Sequence, residues 1–256
     1  MMANLVLVTG SAGRVGRAVV RELQARGIPL RGFDRVPTPG AADSHIGDLT
    51  DPAAVLRAMQ GVGTLIHLAA TPDDDDFMTQ LLPNNLVGVY HVFEAARQAG
   101  VRRLILASSG QVVWYQRFQG PLPIRVTDPV TPRYWYAAAK VFLEAAGRAY
   151  AEAHGMSVIA VRLGWCPRTP EQVREISASK DAQDVYLSPG DAGRLFACAA
   201  EAKNDVRFAI VYASSKPVHR VHFDLAPARE LVGFLPQDTW PDGIEGVESK
   251  GVGSWY

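Results

Sequence analysis

The sequence predicts an α/β protein with a Rossmann-like, doubly wound parallel sheet and a small C-terminal portion. Three observations lead to this prediction. Short apolar runs alternate with helical patterns, a glycine-rich turn follows the first run, and 48% of the 256 residues are hydrophobic. Strands that are apolar throughout and alternate with helices are typical of βαβ units buried on both faces, with right-handed crossovers.

The alternation can be followed along the chain. Short apolar runs predict strands at residues 5–8, 30–34, 64–70, 103–107, 158–163 and 207–212. Apolar residues at helical spacing predict helices at residues 14–26, 53–59, 84–98, 134–154 and 191–202. Gly27, Gly100 and Gly155 close three of these helices, and Pro52 stands at the start of the second.

The remaining segments are less regular. The length of residues 1–256 fits a single Rossmann-type domain. Residues 164–189, rich in proline and charge, and residues 213–256 are expected to form its small C-terminal portion, and irregular loops of this length are often functional. Four consecutive acids at residues 73–76 are expected to form a solvated loop tip. No metal site is predicted.

Composition excludes several classes of protein. A formal net charge of zero argues against a nucleic-acid-binding protein, which usually has a basic excess. The absence of a run of 18 apolar residues predicts no membrane span, and the N-terminal segment lacks the basic region of a signal peptide. The two cysteines, Cys166 and Cys198, are far apart and have no metal-ligand spacing. We therefore expect a reducing, cytoplasmic location.

The glycine-rich turn predicts a dinucleotide site. It lies between the first predicted strand and the first helix, where a fingerprint of this kind needs glycines for a tight turn and for close approach of the pyrophosphate. The amino end of the helix would then face the phosphates with free N–H groups. The residues expected to contact the cofactor here are Gly10, Ala12, Gly13, Arg14, Val15 and Gly16.

Acids farther along bear on the choice of cofactor. Asp34 ends the second predicted strand, where a carboxylate accepts hydrogen bonds from the ribose hydroxyls and repels a 2′-phosphate. NAD is therefore favoured over NADP, although the next residue, Arg35, could meet a 2′-phosphate. Asp48 and Leu49 precede the next helix, and from the residues alone Asp48 is equally well a helix-start acid or a contact to the adenine.

Tyr136 and Lys140 stand four residues apart in a predicted helix and so share one face. By chance, such a pair arises about 0.16 times in a chain of this composition, so the pair alone is only suggestive. An ammonium and an oxidised nicotinamide would both favour the phenolate and lower its pKa from about 10 towards about 7. Ser108 and Ser109 end the fourth predicted strand, where a hydroxyl can hold the reacting oxygen.

Together, these motifs resemble the extended short-chain dehydrogenase/reductase family. The resemblance extends over about residues 3 to 165 and rests on TGSAGRVG, Asp34, the Asp48-Leu49 pair, HLAA at 67–70, Asn85, the two serines and YAAAK at 136–140. It implies a catalytic tetrad of Asn85, Ser109, Tyr136 and Lys140, in which Asn85 supports a water relay. Ser109 is preferred to Ser108 because it has the place of the family serine.

The resemblance also implies cofactor contacts and an assembly. Asp48 and Leu49 would flank the adenine, and the backbone of Leu68, Ala69 and Ala70 would run along the cofactor. At least a dimer is implied, formed through the helix that carries Tyr136 and the helix before it.

The C-terminal half is similar to the uronate dehydrogenase branch, whose members oxidise the anomeric carbon of a hexuronic acid with NAD. This similarity implies that Arg174 pairs with a substrate anion through its planar guanidinium. Two departures concern the substrate pocket: Gly110-Gln111 replaces Asn-His after the serine, and Trp165 stands near a smaller family residue. Four further cations could bind an anion: Arg168, Lys180, His219 and Arg220.

Several functions remain open at this point. The leading hypothesis is NAD-dependent oxidation at C1 of an acidic hexose, either a hexuronate or a sulfonated hexose such as sulfoquinovose. In this hypothesis, residues 164–189 and 213–256 contribute the substrate-binding part. The residues expected to contact the substrate are Ser109, Gly110, Gln111, Tyr136, Trp165, Arg168 and Arg174. The alternatives are a neutral aldose 1-dehydrogenase, a nucleotide-sugar epimerase or dehydratase, and a non-catalytic regulator that senses NAD.

Overall fold

A seven-stranded parallel sheet runs through the part of the chain that the computed structural model describes, residues 5–202 and 206–248. The strand order is β3-β2-β1-β4-β5-β6-β7. In chain order the strands are β1 (Leu5–Thr9), β2 (Leu30–Asp34), β3 (Ser44–Ile46), β4 (Val62–His67), β5 (Arg103–Ser109), β6 (Ser157–Leu163) and β7 (Phe208–Ala213). The order reverses between β1 and β4, so the predicted doubly wound sheet is confirmed, and ligands of such sheets bind at this reversal.

Helices cover both faces of the sheet. They are α1 (Arg14–Ala25), α2 (Pro52–Met59), α3 (Gly88–Gln98), α4 (Gln116–Gln119), α5 (Trp135–His154), α6 (Pro170–Ser177), α7 (Lys180–Asp184), α8 (Pro189–Glu201), α9 (Ala226–Val232) and α10 (Glu245–Glu248). A π-helix (Phe77–Val87) precedes α3, and a 3₁₀ turn (Gly110–Val113) follows β5. No helix in the described ranges is long and apolar enough to cross a membrane.

Alternate residues of each strand enter two separate apolar cores. On one face, Ile105 and Val161 pack with residues of α1, α8 and α9. On the other face, Leu104 and Leu106 pack with residues of α2, α3 and α5. Because both faces are buried, the central strands are apolar throughout, which is why short apolar runs identified them.

Two elements differ from the sequence-based prediction. The edge strand β3 was not predicted, because its three residues, Ser-His-Ile, contain no apolar run. The helix predicted at residues 84–98 begins earlier, as the π-helix. Asp76 accepts a hydrogen bond from the backbone of Thr79 at its start, and Pro83 lies inside it, where its missing N–H interrupts the regular α-helical pattern.

The segments predicted to be irregular pack together beyond the carboxyl ends of β6 and β7. Residues 164–189 contain α6 and α7, so this prediction of irregular structure was only partly right. The backbone of Trp165 bonds to Val185, and the ring of Tyr186 packs edge-on against Trp240, with centroids 5.0 Å apart. This contact joins residues 164–189 to the segment predicted as 213–256, of which residues 249–256 lie outside the described ranges.

Candidate active site

The turn after β1 is built so closely that only glycine fits at two positions. Gly10 has a φ of +69°, and a Cβ atom there would lie 2.7 Å from the amide nitrogen of Ala69. A Cβ atom on Gly16 would lie 2.0 Å from the carbonyl oxygen of Gly10. The turn and the loop after β4 are therefore in contact, and this brings the predicted cofactor residues Leu68 and Ala69 next to the fingerprint.

The amino end of α1 is open to an anion. Gly13 is its N-cap residue and provides no side-chain capping bond, so the first N–H groups of the helix point towards the turn. Arg14, the first helical residue, donates a hydrogen bond to the carbonyl oxygen of Gly243 at 2.9 Å. Val15 is partly buried against the core. A glycine cradle that a Cβ atom would fill, followed by an uncapped helix, fits a dinucleotide pyrophosphate.

Asp34 lies directly beside this turn. Its carboxylate accepts hydrogen bonds from the backbone N–H groups of Ala12, at 2.9 Å, and Arg35, at 2.7 Å. The Arg35 side chain is exposed. Asp34 is thus fixed at the carboxyl end of β2, in the position from which a carboxylate reaches the ribose.

The Asp48-Leu49 pair has a clear local role. One oxygen of Asp48 accepts hydrogen bonds from both the N–H and the hydroxyl of Thr50, at 2.8 Å each, just before α2. Leu49 is buried, and its carbonyl oxygen accepts a hydrogen bond from Nδ1 of His91 at 2.8 Å. The acid that caps α2 is Asp51, which accepts hydrogen bonds from the N–H groups of Ala53 and Ala54. Asp48 therefore closes a turn before the helix, and its contact with adenine stays a prediction.

Three predicted catalytic residues meet where α5 crosses the end of β5. Ser109 acts on the Tyr136 hydroxyl and lowers its pKa. Lys140 is buried, its Nζ donates a hydrogen bond to the carbonyl oxygen of Ala107 at 2.9 Å, and this Nζ lies 5.5 Å from the centre of the Tyr136 ring. Ser108 points to the other side of the strand and bonds to Glu144. The choice of Ser109 over Ser108 therefore agrees with the geometry.

Burial dominates the protonation of this group. Burial and, to a smaller extent, the carboxylate of Asp73 raise the pKa of Tyr136 to about 12, although Arg168 and Ser109 lower it. Burial also lowers the pKa of Lys140 to about 8. Among the protein groups, desolvation of the phenol outweighs the positive charge of Arg168. The expected shift of Tyr136 towards about 7 included the charge of oxidised nicotinamide, and it stays a prediction.

Asn85 lies buried in the π-helix and joins it to the loop after β4. Its Oδ1 accepts a hydrogen bond from the N–H of Thr71 at 2.8 Å, and its Nδ2 donates to the carbonyl oxygen of Thr71 at 2.9 Å. Both ends of the amide are thus engaged with the loop that contacts the glycine turn. Its role in a water relay stays a prediction.

The two departures from the uronate dehydrogenase pattern have structural counterparts. A Cβ atom on Gly110 would lie 2.9 Å from the ring of Phe223, so this ring occupies the space that a larger residue would need. Gln111 follows and donates its backbone N–H to the Ser109 hydroxyl at 3.1 Å. The partly buried Trp165 lies between two small apolar clusters of the C-terminal portion.

The acidic loop after β4 is not simply solvated, which corrects the prediction for residues 73–76. Asp73 forms an ion pair with Arg168 and accepts a hydrogen bond from Nε2 of Gln172 at 3.1 Å. Asp74 accepts a hydrogen bond from the backbone N–H of Tyr136 at 3.2 Å. The loop therefore bridges α5 and the segment after β6. The sequence signal for this role was the position of the acids after a parallel strand, because ligands bind at the edge of the sheet where the strands end.

Three of the other predicted anion ligands have partners of their own. Arg174 is exposed on α6 and pairs with Glu171 at 2.6 Å. Arg220 pairs with Asp181 at 2.7 Å, and the ring of His219 contacts Gln183 at 3.2 Å. Of the predicted anion ligands, Arg168 is the one whose charge acts on Tyr136.

Sequence reasoning also missed His67 at the end of β4. Its Nδ1 shares a hydrogen bond of 2.8 Å with the Thr9 hydroxyl. Burial, with a further contribution from the charge of Lys140, lowers its pKa to about 3. His67 is therefore a neutral ring that links β1 and β4 beneath the cofactor turn. The HLAA motif carried this residue, but nothing in its spacing indicated the bond to Thr9.

Comparisons with known proteins agree with this geometry. Residues 6–165 match the NAD dependent epimerase/dehydratase family. The chain is 32% identical over 258 residues to L-arabinose 1-dehydrogenase (NAD(P)(+)) of Haloferax volcanii, covering 94% of this chain and 99% of that protein. It is 30% identical over 251 residues to uronate dehydrogenase of Pseudomonas putida, covering 96% and 89%. The structure of glucuronic acid dehydrogenase from Chromohalobacter salexigens has a TM-score of 0.79 and 28% identity, covering 98% and 90%.

The chain therefore belongs to the NAD-dependent epimerase/dehydratase family. The resemblance to the uronate dehydrogenase branch is confirmed, and so are the predictions of NAD as cofactor and of an NAD-dependent sugar dehydrogenase, which these relatives bear out. Within residues 5–202 and 206–248, no group of three or more His, Cys, Asp or Glu side chains is placed to hold a metal ion.

The close contact at Gly16 predicts that Gly16→Ala weakens NAD binding at least about tenfold, because the added methyl would push the turn away from the helix. Isothermal calorimetry measures this change. Gly27→Asn is the control: its backbone is left-handed but a Cβ atom there meets nothing within 4 Å, and asparagine tolerates that conformation. Equal NAD affinity in wild type and Gly16→Ala would contradict the assignment.

Proposed function

We propose that this protein oxidises the anomeric C1 hydroxyl of an acidic hexose to a lactone, with NAD as hydride acceptor. The substrate is a hexuronate or a sulfonated hexose such as sulfoquinovose. The observation that carries this proposal is the position of the Tyr136 phenol, which lies beside Lys140 at the end of β5 and whose pKa is lowered by both Ser109 and the charge of Arg168. Uronate dehydrogenases among the relatives support the same reaction.

The side chains divide the chemistry among them. Tyr136, as phenolate, takes the proton of the C1 hydroxyl, and Ser109 fixes the same oxygen by a hydrogen bond. Lys140, held by the carbonyl oxygen of Ala107, keeps its ammonium beside the phenol ring and binds the ribose. When bound, oxidised NAD supplies the hydride acceptor and a positive charge near the phenol. That charge is needed, because burial holds the pKa of Tyr136 well above neutrality.

The cofactor contacts follow from the turn and its neighbours. We propose that the pyrophosphate lies on the backbone of residues 10–16, the ribose on Asp34 and Arg35, and the adenine between Asp48 and Leu49. The loop at residues 68–70 would lie along the nicotinamide half. The uncapped start of α1 and the close contact of Gly10 with Ala69 support this arrangement.

Arg168 is the residue that we propose to recognise the substrate anion. Its guanidinium and the amide of Gln172 both donate to a single oxygen of Asp73. The Gln172 amide is itself oriented by accepting a hydrogen bond from the Arg168 backbone at 2.7 Å. This donor pair would suit a carboxylate or sulfonate that replaces Asp73. Arg174 is the second candidate, since its exposed pair with Glu171 is weak and easily exchanged.

A neutral aldose is the alternative substrate. The carboxylate of Asp73 already neutralises the charge of Arg168. The substrate therefore does not have to supply an anionic group to balance that charge. The L-arabinose 1-dehydrogenase among the relatives favours the same alternative. Gly110, Gln111 and Trp165 would contact the sugar in either case.

The substrate proposal predicts a selective effect of Arg168→Met. NADH formation should occur with glucuronate, galacturonate or sulfoquinovose, and the variant should raise KM for that acid at least about tenfold while changing turnover of L-arabinose much less. Tyr136→Phe should lower kcat by at least about a hundredfold on any substrate, because the proton acceptor is lost. Absorbance of NADH measures both effects.

Two matched variants complete the experiment. Arg174→Met reports whether the second candidate contributes, and Arg229→Met removes an exposed arginine of α9 as a control. Oxidation of L-arabinose but of no acidic sugar, with equal kinetics in wild type and Arg168→Met, would establish the neutral-aldose alternative instead.

We also propose a cytoplasmic homodimer formed through α3, the π-helix and α5. Met78, Val87 and Tyr90 on the first two elements, and Trp135 and Phe142 on α5, are each at least 40% exposed. The rings of Phe77 and Trp135 contact each other, with centroids 5.0 Å apart, so these surfaces are continuous. Exposed apolar patches of this kind mark protein interfaces. Both cysteines are free, which supports a reducing compartment.

If the protein is a dimer of this kind, the double variant Tyr90→Glu with Phe142→Glu should be a monomer, because two charges would otherwise be buried at the interface. Light scattering after size-exclusion chromatography measures the mass. Phe118→Glu, which changes a side chain that is 65% exposed on α4, should leave the dimer intact. A monomeric mass for the wild-type protein would contradict the proposal.

A further inference from the structure

A row of buried polar side chains crosses the sheet beside the catalytic residues. The Ser108 hydroxyl donates to Glu144 at 2.6 Å. Arg162 donates to both oxygens of the same carboxylate, at 2.9 Å each. A third bond runs from Arg162 to the hydroxyl of Tyr212 at 3.0 Å. All four side chains are buried.

The topology explains how residues so far apart in sequence meet. Ser108 on β5 lies opposite Arg162 on β6, which lies opposite Tyr212 on β7. Glu144 comes from α5, which packs over these strands on the face that Ser108 and Arg162 share. A single carboxylate therefore connects the catalytic helix to two adjacent strands.

Glu144 belongs to a regular series of attachments between α5 and β5. Tyr136, Lys140 and Glu144 stand one helical turn apart and so lie on one face of α5. Tyr136 contacts Ser109, Lys140 contacts the carbonyl oxygen of Ala107, and Glu144 contacts Ser108. Ala107 and Ser108 are thus bonded to successive turns of α5, and the next residue of β5, Ser109, acts on Tyr136 at the reacting atoms.

The network also reaches the far side of Ser109. The ring of Tyr212 stacks on Phe223, with centroids 4.7 Å apart and planes 3° from parallel. Phe223 in turn fills the space above Gly110, where a Cβ atom would lie only 2.9 Å away. Ser109 therefore lies between two residues, Ser108 and Gly110, whose positions both depend on this network.

Stability alone is a poor explanation for such a pair. The Arg162 and Glu144 side chains are only 2% and 7% exposed. Burial disfavours the charge on Arg162, and the bonds to Glu144 outweigh it and raise the pKa of the guanidinium overall. Because desolvation offsets most of the attraction in a buried ion pair, apolar residues of similar size usually give equal or greater stability.

We propose that Glu144 and Arg162 are positioning residues that set the distance between Ser109 and Tyr136. The bidentate pair fixes the third turn of α5 against β5 and β6, and Ser108 carries this constraint to the adjacent catalytic serine. The network therefore keeps Ser109 in the position from which it lowers the pKa of Tyr136. This inference rests on the catalytic roles proposed above for Ser109 and Tyr136.

The decisive variant replaces both charges, Glu144→Leu with Arg162→Met. Its melting temperature should equal or exceed that of Glu144→Leu alone, which leaves Arg162 buried and unpaired. Its kcat should nevertheless remain at least about tenfold below wild type, because a small misplacement of catalytic groups has large effects on rate. The affinity for NAD should be unchanged.

A pH readout separates positioning from general damage. Since Ser109 lowers the pKa of Tyr136, its displacement should move the acidic limb of the kcat profile to higher pH. Titration of Tyr136 by ultraviolet absorbance with NAD bound, as a difference from Tyr136→Phe, should show the same rise without any sugar. Ser108→Ala removes the serine hydroxyl that donates to Glu144 but keeps the bonds from Arg162. This variant should show a smaller rise in the pKa of Tyr136.

The control is the Arg31–Asp43 pair on β2 and before β3, at the opposite edge of the sheet. Arg31→Met with Asp43→Leu should leave kcat and the pH profile unchanged. The positioning role is overturned if Glu144→Leu with Arg162→Met has wild-type kcat and an unshifted titration of Tyr136. If wild type oxidises no sugar, the proposed function fails, and the titration alone still decides the role of the network.

Discussion

The attachment of helix α5 to the end of strand β5 is the constraint on which the catalytic site depends. A Tyr and a Lys four residues apart do not by themselves make a general base, since a free phenol is a poor base at neutral pH. They become useful because α5 lies with one face against residues 107–109, where the phenol meets Ser109 and the ammonium meets a carbonyl oxygen. Everything else in the site is arranged around this crossing.

In the proposed mechanism, burial makes ionisation of the Tyr136 phenol depend on the cofactor. The phenol of Tyr136 and the ammonium of Lys140 are both desolvated, which favours their neutral forms, and Asp73 adds a negative charge beside the phenol. The neutral ring of His67 adds no positive charge beneath the turn. The proposed mechanism therefore couples proton removal to the arrival of oxidised NAD, and this coupling would keep the phenol protonated until a hydride acceptor is in place.

Local patterns accounted for the parts of the fold that depend on neighbours in sequence. Strands buried on both faces leave apolar runs, the tight turn needs glycines at fixed spacing, and Tyr136 and Lys140 share a helix face. The missed features are contacts between distant segments. Neither the pair of Arg162 with Glu144 nor the pair of Arg168 with Asp73 has a spacing that could reveal it, because each depends on where the topology places segments that are distant in sequence.

Two smaller differences have the same origin. The π-helix around Asn85 was expected to be regular, and its form follows from Pro83 and from the bonds between Asn85 and the loop at Thr71. In the sequence, Gly110 is only a departure from a family pattern. The structure explains the glycine by the ring of Phe223, a residue distant in sequence that occupies the space a side chain would need. Sequence patterns thus predict the residues of the reaction centre, while long-range packing shapes the surroundings of those residues.

The central claim is that protein groups keep Tyr136 protonated and that NAD makes it a base. It is tested most directly by the ultraviolet titration of Tyr136, taken as the difference between wild type and Tyr136→Phe, with and without oxidised NAD. The account predicts a pKa of about 12 without NAD and a markedly lower one with NAD. A pKa that is already near neutrality without NAD, or one that NAD does not change, would contradict it.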